Sequence, residues 1–177
     1  MRHFALLAAL LAGSAAAQPP QPASPCACAD HEALDFWVGR WDVYKTGTDT
    51  KVADSLIERL YGGCAIRENW MPSSGTPGGS LSSWDPEARA WRQTWVDSSG
   101  ATVHFKGGMQ GQAMVMTGWW KDVLGPGKSA ELRMTYERLP GGGVRQHGET
   151  TADKGKSWQP SFDFTYRPAR EVAGAEE

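Results

Sequence analysis

The chain has 177 residues, with 18 Lys and Arg set against 20 Asp and Glu for a formal net charge of −2. That balance lacks the basic footprint of a nucleic-acid-binding protein, and the length is that of one domain with a single substantial core. Nine Trp bring large apolar area, each with one N–H to satisfy, and 21 Gly mark an abundance of turns.

The N-terminus reads as an export signal over residues 1–17. Arg2 and His3 precede an apolar run at 4–11, and Ala15-Ala16-Ala17 supplies small residues for cleavage before Gln18. The run is too short to span a bilayer, and Ser14 stands where a lipoprotein box would carry its Cys. No other segment is a candidate membrane span, so the expected location is periplasmic or secreted. Residues 18–30 begin as a Pro-rich linker (QPPQPASP) and hold Cys26 and Cys28. Cys64 is the third cysteine. In an oxidising compartment Cys28, or Cys26, is expected to bridge to Cys64 and tie the arm to the domain. A soft-metal reading, Cys26-x-Cys28 with His31, lacks a fourth ligand.

The domain is expected over 31–170, with a flexible tail at 171–177. A short helix is expected over 31–38, with Asp30 as its N-cap. From Gly39 onward the hydrophobic period is two. Ten strands are expected, at 40–45, 51–61, 64–71, 79–85, 90–97, 101–107, 112–120, 130–139, 143–151 and 161–167, separated by Gly-rich or Asp-Pro turns. Short connections place sequence neighbours side by side, and closing such a meander removes its two unpaired edges. The expected fold is therefore all-β: an antiparallel up-and-down barrel of about ten strands, with a two-sheet sandwich as the alternative. Leu132, Met134 and Tyr136 alternate with charged and polar residues, as do Phe162, Phe164 and Tyr166. Each strand thus has one apolar and one wet face. The strand at 112–120 is apolar on both faces.

Two motifs have architectural meaning. Thr151-x-Asp153-x-Gly155-x-Ser157-Trp158 matches the Asp-box pattern, a hairpin loop in which the Asp accepts loop N–H bonds. Gly39-Arg40-Trp41 resembles the lipocalin Gly-x-Trp signature. That resemblance implies a Trp plugging one end of a calycin-like barrel, with an Arg near the last strand, here Arg167 or Arg170, packed on its indole. The wider pattern runs from Leu34-Asp35-Phe36-Trp37-Val38-Gly39-Arg40-Trp41 through Ile66-x-Glu68-x-Trp70 and Trp91-x-Gln93-x-Trp95 to Phe162-x-Phe164-x-Tyr166. It is similar to a bacterial family of exported or cytosolic domains of unknown function, and carries no catalytic residue with it.

The polar residues on apolar faces are the candidate site. Glu68 shares its face with Ile66 and Trp70, and Gln93 with Trp91 and Trp95. A buried carboxylate costs several kcal/mol unless paired or protonated, so Glu68 is either satisfied by neighbours or kept for a ligand. The first functional expectation is binding of a small, mostly apolar molecule in a cavity lined by Ile66, Trp70, Trp95, Met114, Met116, Met134, Tyr136, Phe162 and Phe164, with Glu68 and Gln93 as polar anchors. That cavity should lie away from Trp41, toward the opposite mouth. The second is an enzyme using Glu68 as general acid or base on a cyclic or polyketide-like substrate. The third is an interaction module with a Trp-rich surface at Trp84, Trp119 and Trp120. His104 and His147 fall on wet faces, which argues against haem. No nucleophile–base set, phosphate loop or metal-ligand spacing is legible, so no cofactor is expected.

Overall fold

A computed structural model describes residues 24–170. The expectations for the signal at 1–17, for the linker up to residue 23 and for the tail at 171–177 concern residues outside that range. A four-residue helix α1 (Ala29–Glu32) and a 3-10 turn (Asp35–Trp37) precede ten strands: β1 (Gly39–Lys45), β2 (Lys51–Leu60), β3 (Ala65–Pro72), β4 (Gly78–Asp85), β5 (Ala90–Asp97), β6 (Thr102–Gln110), β7 (Ala113–Trp120), β8 (Ala130–Arg138), β9 (Val144–Thr151) and β10 (Gln159–Pro168). Every strand pairs antiparallel with its neighbours in sequence, and β1 pairs with β10 to close the barrel. Tyr166 meets Val43 and Phe164 meets Lys45 at that seam. No helix among the described residues is long and apolar enough to cross a membrane.

The period-two pattern sets which residues turn inward. Trp41 and Val43, Ala53, Ser55 and Ile57, Ile66 and Glu68, Met114 and Met116, and Leu132, Met134 and Tyr136 are all buried while their sequence neighbours are more exposed. Two irregularities break the ladder, between Val43 and Tyr44 and between Pro160 and Phe162. Such bulges bend a strand and increase its twist, as a closing sheet requires.

One end of the barrel is sealed by the N-terminal segment. Leu34 and Trp37 are fully buried there. The Trp37 ring packs 4.9 Å from Tyr136 and 6.1 Å from Tyr166. Trp41 meets Tyr166 edge-on and donates its Nε1–H to the Trp37 carbonyl at 2.9 Å. A Cβ at Gly39 would lie 3.2 Å from the Trp41 indole, so the small residue lets the ring fold back over the chain. Trp91 Nε1 donates to the Asp30 carbonyl, Arg59 pairs with Asp35, and a Cys26–Cys64 disulfide crosses from the arm to the start of β3.

Two expectations are corrected at this end, the helix and the Arg packing, and of the two candidate bridges to Cys64 one is formed. The single helix over 31–38 is instead α1 followed by the 3-10 turn, and Cys28 occupies the N-cap position without a side-chain cap. Eight residues are too few to hold a helix by propensity alone, and Leu34 leaves helical geometry (φ −103°, ψ 5°) in a segment that buries both Leu34 and Trp37. The bridge is made by Cys26, buried against Cys64, while Cys28 remains a free, exposed thiol 3.1 Å from His31 Nδ1. Its Sγ consumed, Cys26 cannot ligate a metal, and no group of His, Cys, Asp or Glu suited to a metal ion occurs among the described residues. Arg167 lies over the Tyr44 ring at 4.1 Å and bonds Asp49 on the outer face, rather than packing on Trp41; Arg170 is exposed.

Candidate functional site

Toward the other end the barrel is not filled. The strands there end in the loops at 46–50, 73–77, 98–101, 121–129 and 152–158. Between them lies a cavity of about 250 Å³, lined by Glu68, Trp70, Gln93, Trp95, Phe105, Trp120, Met134, Tyr136, Gln146, Phe162 and Phe164. The residues at its floor are buried: Glu68, Gln93, Phe105, Met134, Tyr136 and Gln146. Those at its rim, Trp70, Trp95, Trp120, Phe162 and Phe164, are half-buried. A buried polar floor beneath a partly exposed aromatic rim is the form of a pocket open at one end.

The rim rings hold one another. Phe162 stacks on Phe164 at 5.1 Å, Trp70 packs on Phe164 at 5.6 Å, and Trp120 lies 6.5 Å from both Trp95 and Phe105. Trp95 Nε1 donates to Asp97 Oδ2 at 3.1 Å, and Asp97 also accepts from the backbone and hydroxyl of Ser99 in the following turn. Burial opposes ionisation of Asp97, but these donors outweigh it and hold the carboxyl below its ordinary pKa. Gly148 lets the Phe162 ring lie across β9: a Cβ there would fall 2.3 Å from the ring.

The floor is a polar network with one weak point. Tyr166 donates to Gln146 Oε1 at 2.7 Å, and Gln146 Nε2 donates to the Tyr136 hydroxyl at 3.0 Å. Gln93 Nε2 donates to Ser82 Oγ at 3.0 Å, which leaves its Oε1 as an acceptor. Among the described residues Glu68 accepts one hydrogen bond, from Ser80 Oγ at 2.9 Å, and has no salt-bridge partner. Burial therefore pushes its pKa up to about 7, a rise that the Ser80 bond only partly offsets. Burial also raises both tyrosines, and the Glu68 charge raises them further, so both hydroxyls are neutral at physiological pH.

The structure brings together Glu68, Trp70, Gln93, Trp95, Met134, Tyr136, Phe162 and Phe164 around this cavity. It does not bring Ile66, Met114 or Met116 to it. These three point inward but join the buried core. Met114 and Met116 pair directly with the cavity residues Tyr136 and Met134 yet are fully buried, so inward parity alone does not distinguish core from lining. Phe105, Trp120 and Gln146 are cavity residues that the sequence reading missed. Their signals were present: Phe105 alternates with His104, Trp120 shares parity with Met114 and Met116 across Gly118, and Gln146 alternates with the outward-facing Arg145 and His147.

The tryptophans do not form an exposed cluster. Trp120 lines the cavity, Trp84 packs against the core, and Trp119 alone of the three is exposed, at 65%. That placement removes the Trp-rich surface. His104 is exposed and bonds Thr94 Oγ1, His147 lies on the outer face of β9, and no His among the described residues lines the cavity. In comparisons with protein-family models and with curated proteins, the chain matches none.

Proposed function

We propose that this chain is an exported, lipocalin-like protein that holds a small, mainly apolar molecule in the open half of its barrel. The observation that carries this reading is the cavity: apolar walls, a few convergent polar groups, and a carboxyl whose single hydrogen bond leaves it available to a ligand. The leader-like residues at 1–17 and the Cys26–Cys64 bridge support export into an oxidising compartment. The loop at 152–158 fits a purely architectural Asp-box role. There Asp153 accepts from Ser157 and Thr151, which draws its pKa down to about 2.

Binding is tested by tryptophan fluorescence and native mass spectrometry with a panel of compact lipophiles. Trp70, Trp95 and Trp120 line the cavity, so occupancy should quench or shift emission and add the ligand's mass. A protein that shows neither response across the panel is not a binding protein of this kind.

The Glu68 carboxyl also supports a second reading, general acid–base catalysis on a cyclic or polyketide-like substrate. A group with a pKa of about 7 inside a cavity, with the neutral Tyr136 hydroxyl in the same lining, is suited to moving a proton at neutral pH. Turnover abolished by Glu68→Gln, with binding retained, would distinguish it from simple carriage.

A further inference from the structure

The cavity's chemistry is one-sided. Its walls carry six aromatic rings besides Tyr136: Trp70, Trp95, Trp120, Phe105, Phe162 and Phe164. Its polar groups are the Glu68 carboxyl, the Gln93 and Gln146 amides and the Tyr136 hydroxyl; the amides and hydroxyl are neutral and already bonded to Ser82, Tyr166 or each other, so Glu68 is the one lining group that can carry charge at neutral pH. No Lys, Arg or His is among the lining residues. Ring faces carry negative potential, and the Asp97 carboxylate bonded to Trp95 adds a charge of the same sign at the rim. An anionic ligand such as a fatty acid would find no counter-charge here and would face Glu68 directly.

The surroundings of Glu68 do not supply the missing cation. On the flanking strands, Asp54 and Glu58 of β2 and Asp85 of β4 lie on the outer face, away from the inward Ser55, Ile57, Ser80 and Ser82. Lys51 is held outside by Asp42 and Asp54. Arg59 is at the sealed end, engaged by Asp35. Across the barrel the titratable groups are Tyr136 and Tyr166, both neutral.

We propose that the natural ligand is an apolar organic cation, a compact amine or quaternary ammonium compound whose charged head sits against Glu68 within the aromatic walls. This rests on the binding reading above and names the ligand class for that same cavity. The aromatic faces stabilise the head by cation–π attraction and the carboxylate neutralises it in a site largely withdrawn from water. The volume, just below the roughly 300 Å³ at which typical ligand pockets begin, suits one or two rings rather than a long acyl chain.

A matched pair of probes isolates the charge. Benzyltrimethylammonium and neopentylbenzene have the same shape and differ in one atom, N⁺ against C. The quaternary head does not titrate, so any pH dependence belongs to the protein. At pH 8, where Glu68 is mostly ionised, the cation should bind at least about tenfold tighter than the hydrocarbon. That advantage should shrink as pH falls toward 5.5 and Glu68 is protonated. Glu68→Gln should remove most of the cation's advantage at pH 8 and flatten its dependence on pH. The wild-type pH profile carries the test independently should the variant fold poorly.

Neopentylbenzene binding as tightly as the cation at pH 8, or any other lipophile of the panel binding while the cation does not, would overturn the assignment and leave the binding reading intact. Failure of both probes and of the whole panel would overturn both.

Discussion

Replacing Glu68 by Gln should stabilise the protein above neutral pH, in a pH-dependent way that can be worked from its surroundings. The folded carboxyl has a pKa of about 7 against an ordinary 4.5, because burial disfavours the charged form and Ser80 alone donates to it. Below pH 4.5 the group is protonated in both the folded and unfolded chains and its linkage contributes nothing unfavourable. Between 4.5 and 7 the unfolded chain has lost the proton and the folded protein keeps it, so stability falls as pH rises; above 7 the loss is complete. At about 1.4 kcal/mol per tenfold difference in proton affinity, the loss reaches about 3 kcal/mol. Gln has the same shape and does not titrate. Urea unfolding of both proteins from pH 4.5 to 8.5, read as the difference between them, cancels every other titrating group. With an m value of about 2 kcal/mol/M, the variant's midpoint should move by about 1.5 M relative to wild type across this range and level off above pH 7. A difference that stays constant from pH 5 to 8.5 would refute the reasoning, because it would mean the carboxyl is solvated or paired in the folded state.

Three further outcomes follow from the packing. Replacing Cys26 and Cys64 together by Ala opens a loop with a sequence separation of 38 residues and should cost about 4 kcal/mol by chain entropy, measured by guanidinium unfolding with wild type as reference. Trp41→Ala removes a buried ring from the sealed end and should cost about 3–5 kcal/mol in the same assay, whereas a surface change such as Lys106→Ala should have little effect. Gly148→Ala places a methyl against Phe162, a ring that lines the cavity; a cost of about 1–3 kcal/mol should accompany at least a severalfold loss of affinity for an apolar probe, read by Trp quenching.

Trp41 and Trp120 illustrate how far one-dimensional pattern extends. Trp41 follows Gly39 at the junction between the N-terminal segment and the first strand, and that local context already marks an end of the barrel. Trp120 closes a strand that is apolar on both faces, 112–120, so its direction depended on continuing the Met114–Met116 parity through Gly118, where there is no side chain to carry the pattern. Gln146 was obscured for the opposite reason. A polar side chain between charged neighbours resembles a wet face, and only its hydrogen bonds to Tyr136 and Tyr166 account for its burial. The cysteine pairing shows a similar limit. Cys26 and Cys28 stand two residues apart, and the choice between them depends on where α1 begins and which thiol it turns toward β3.

The amino-acid sequence by itself determined the all-β class, the approximate number of strands and, where apolar and polar residues alternate cleanly, which face is apolar, because pleat alternation and turn chemistry are local properties of the chain. It also placed Glu68 and Gln93 on the same strand faces as aromatic residues, and the structure turns those faces inward. Tertiary structure alone decided which inward residues are core and which line a cavity. The register of ten staggered strands and the depth to which Leu34 and Trp37 enter the barrel set each side chain's height. In the closed barrel Ile66, Met114 and Met116 join the core, and Glu68, without a cationic partner among the described residues, lies at the floor of the open half.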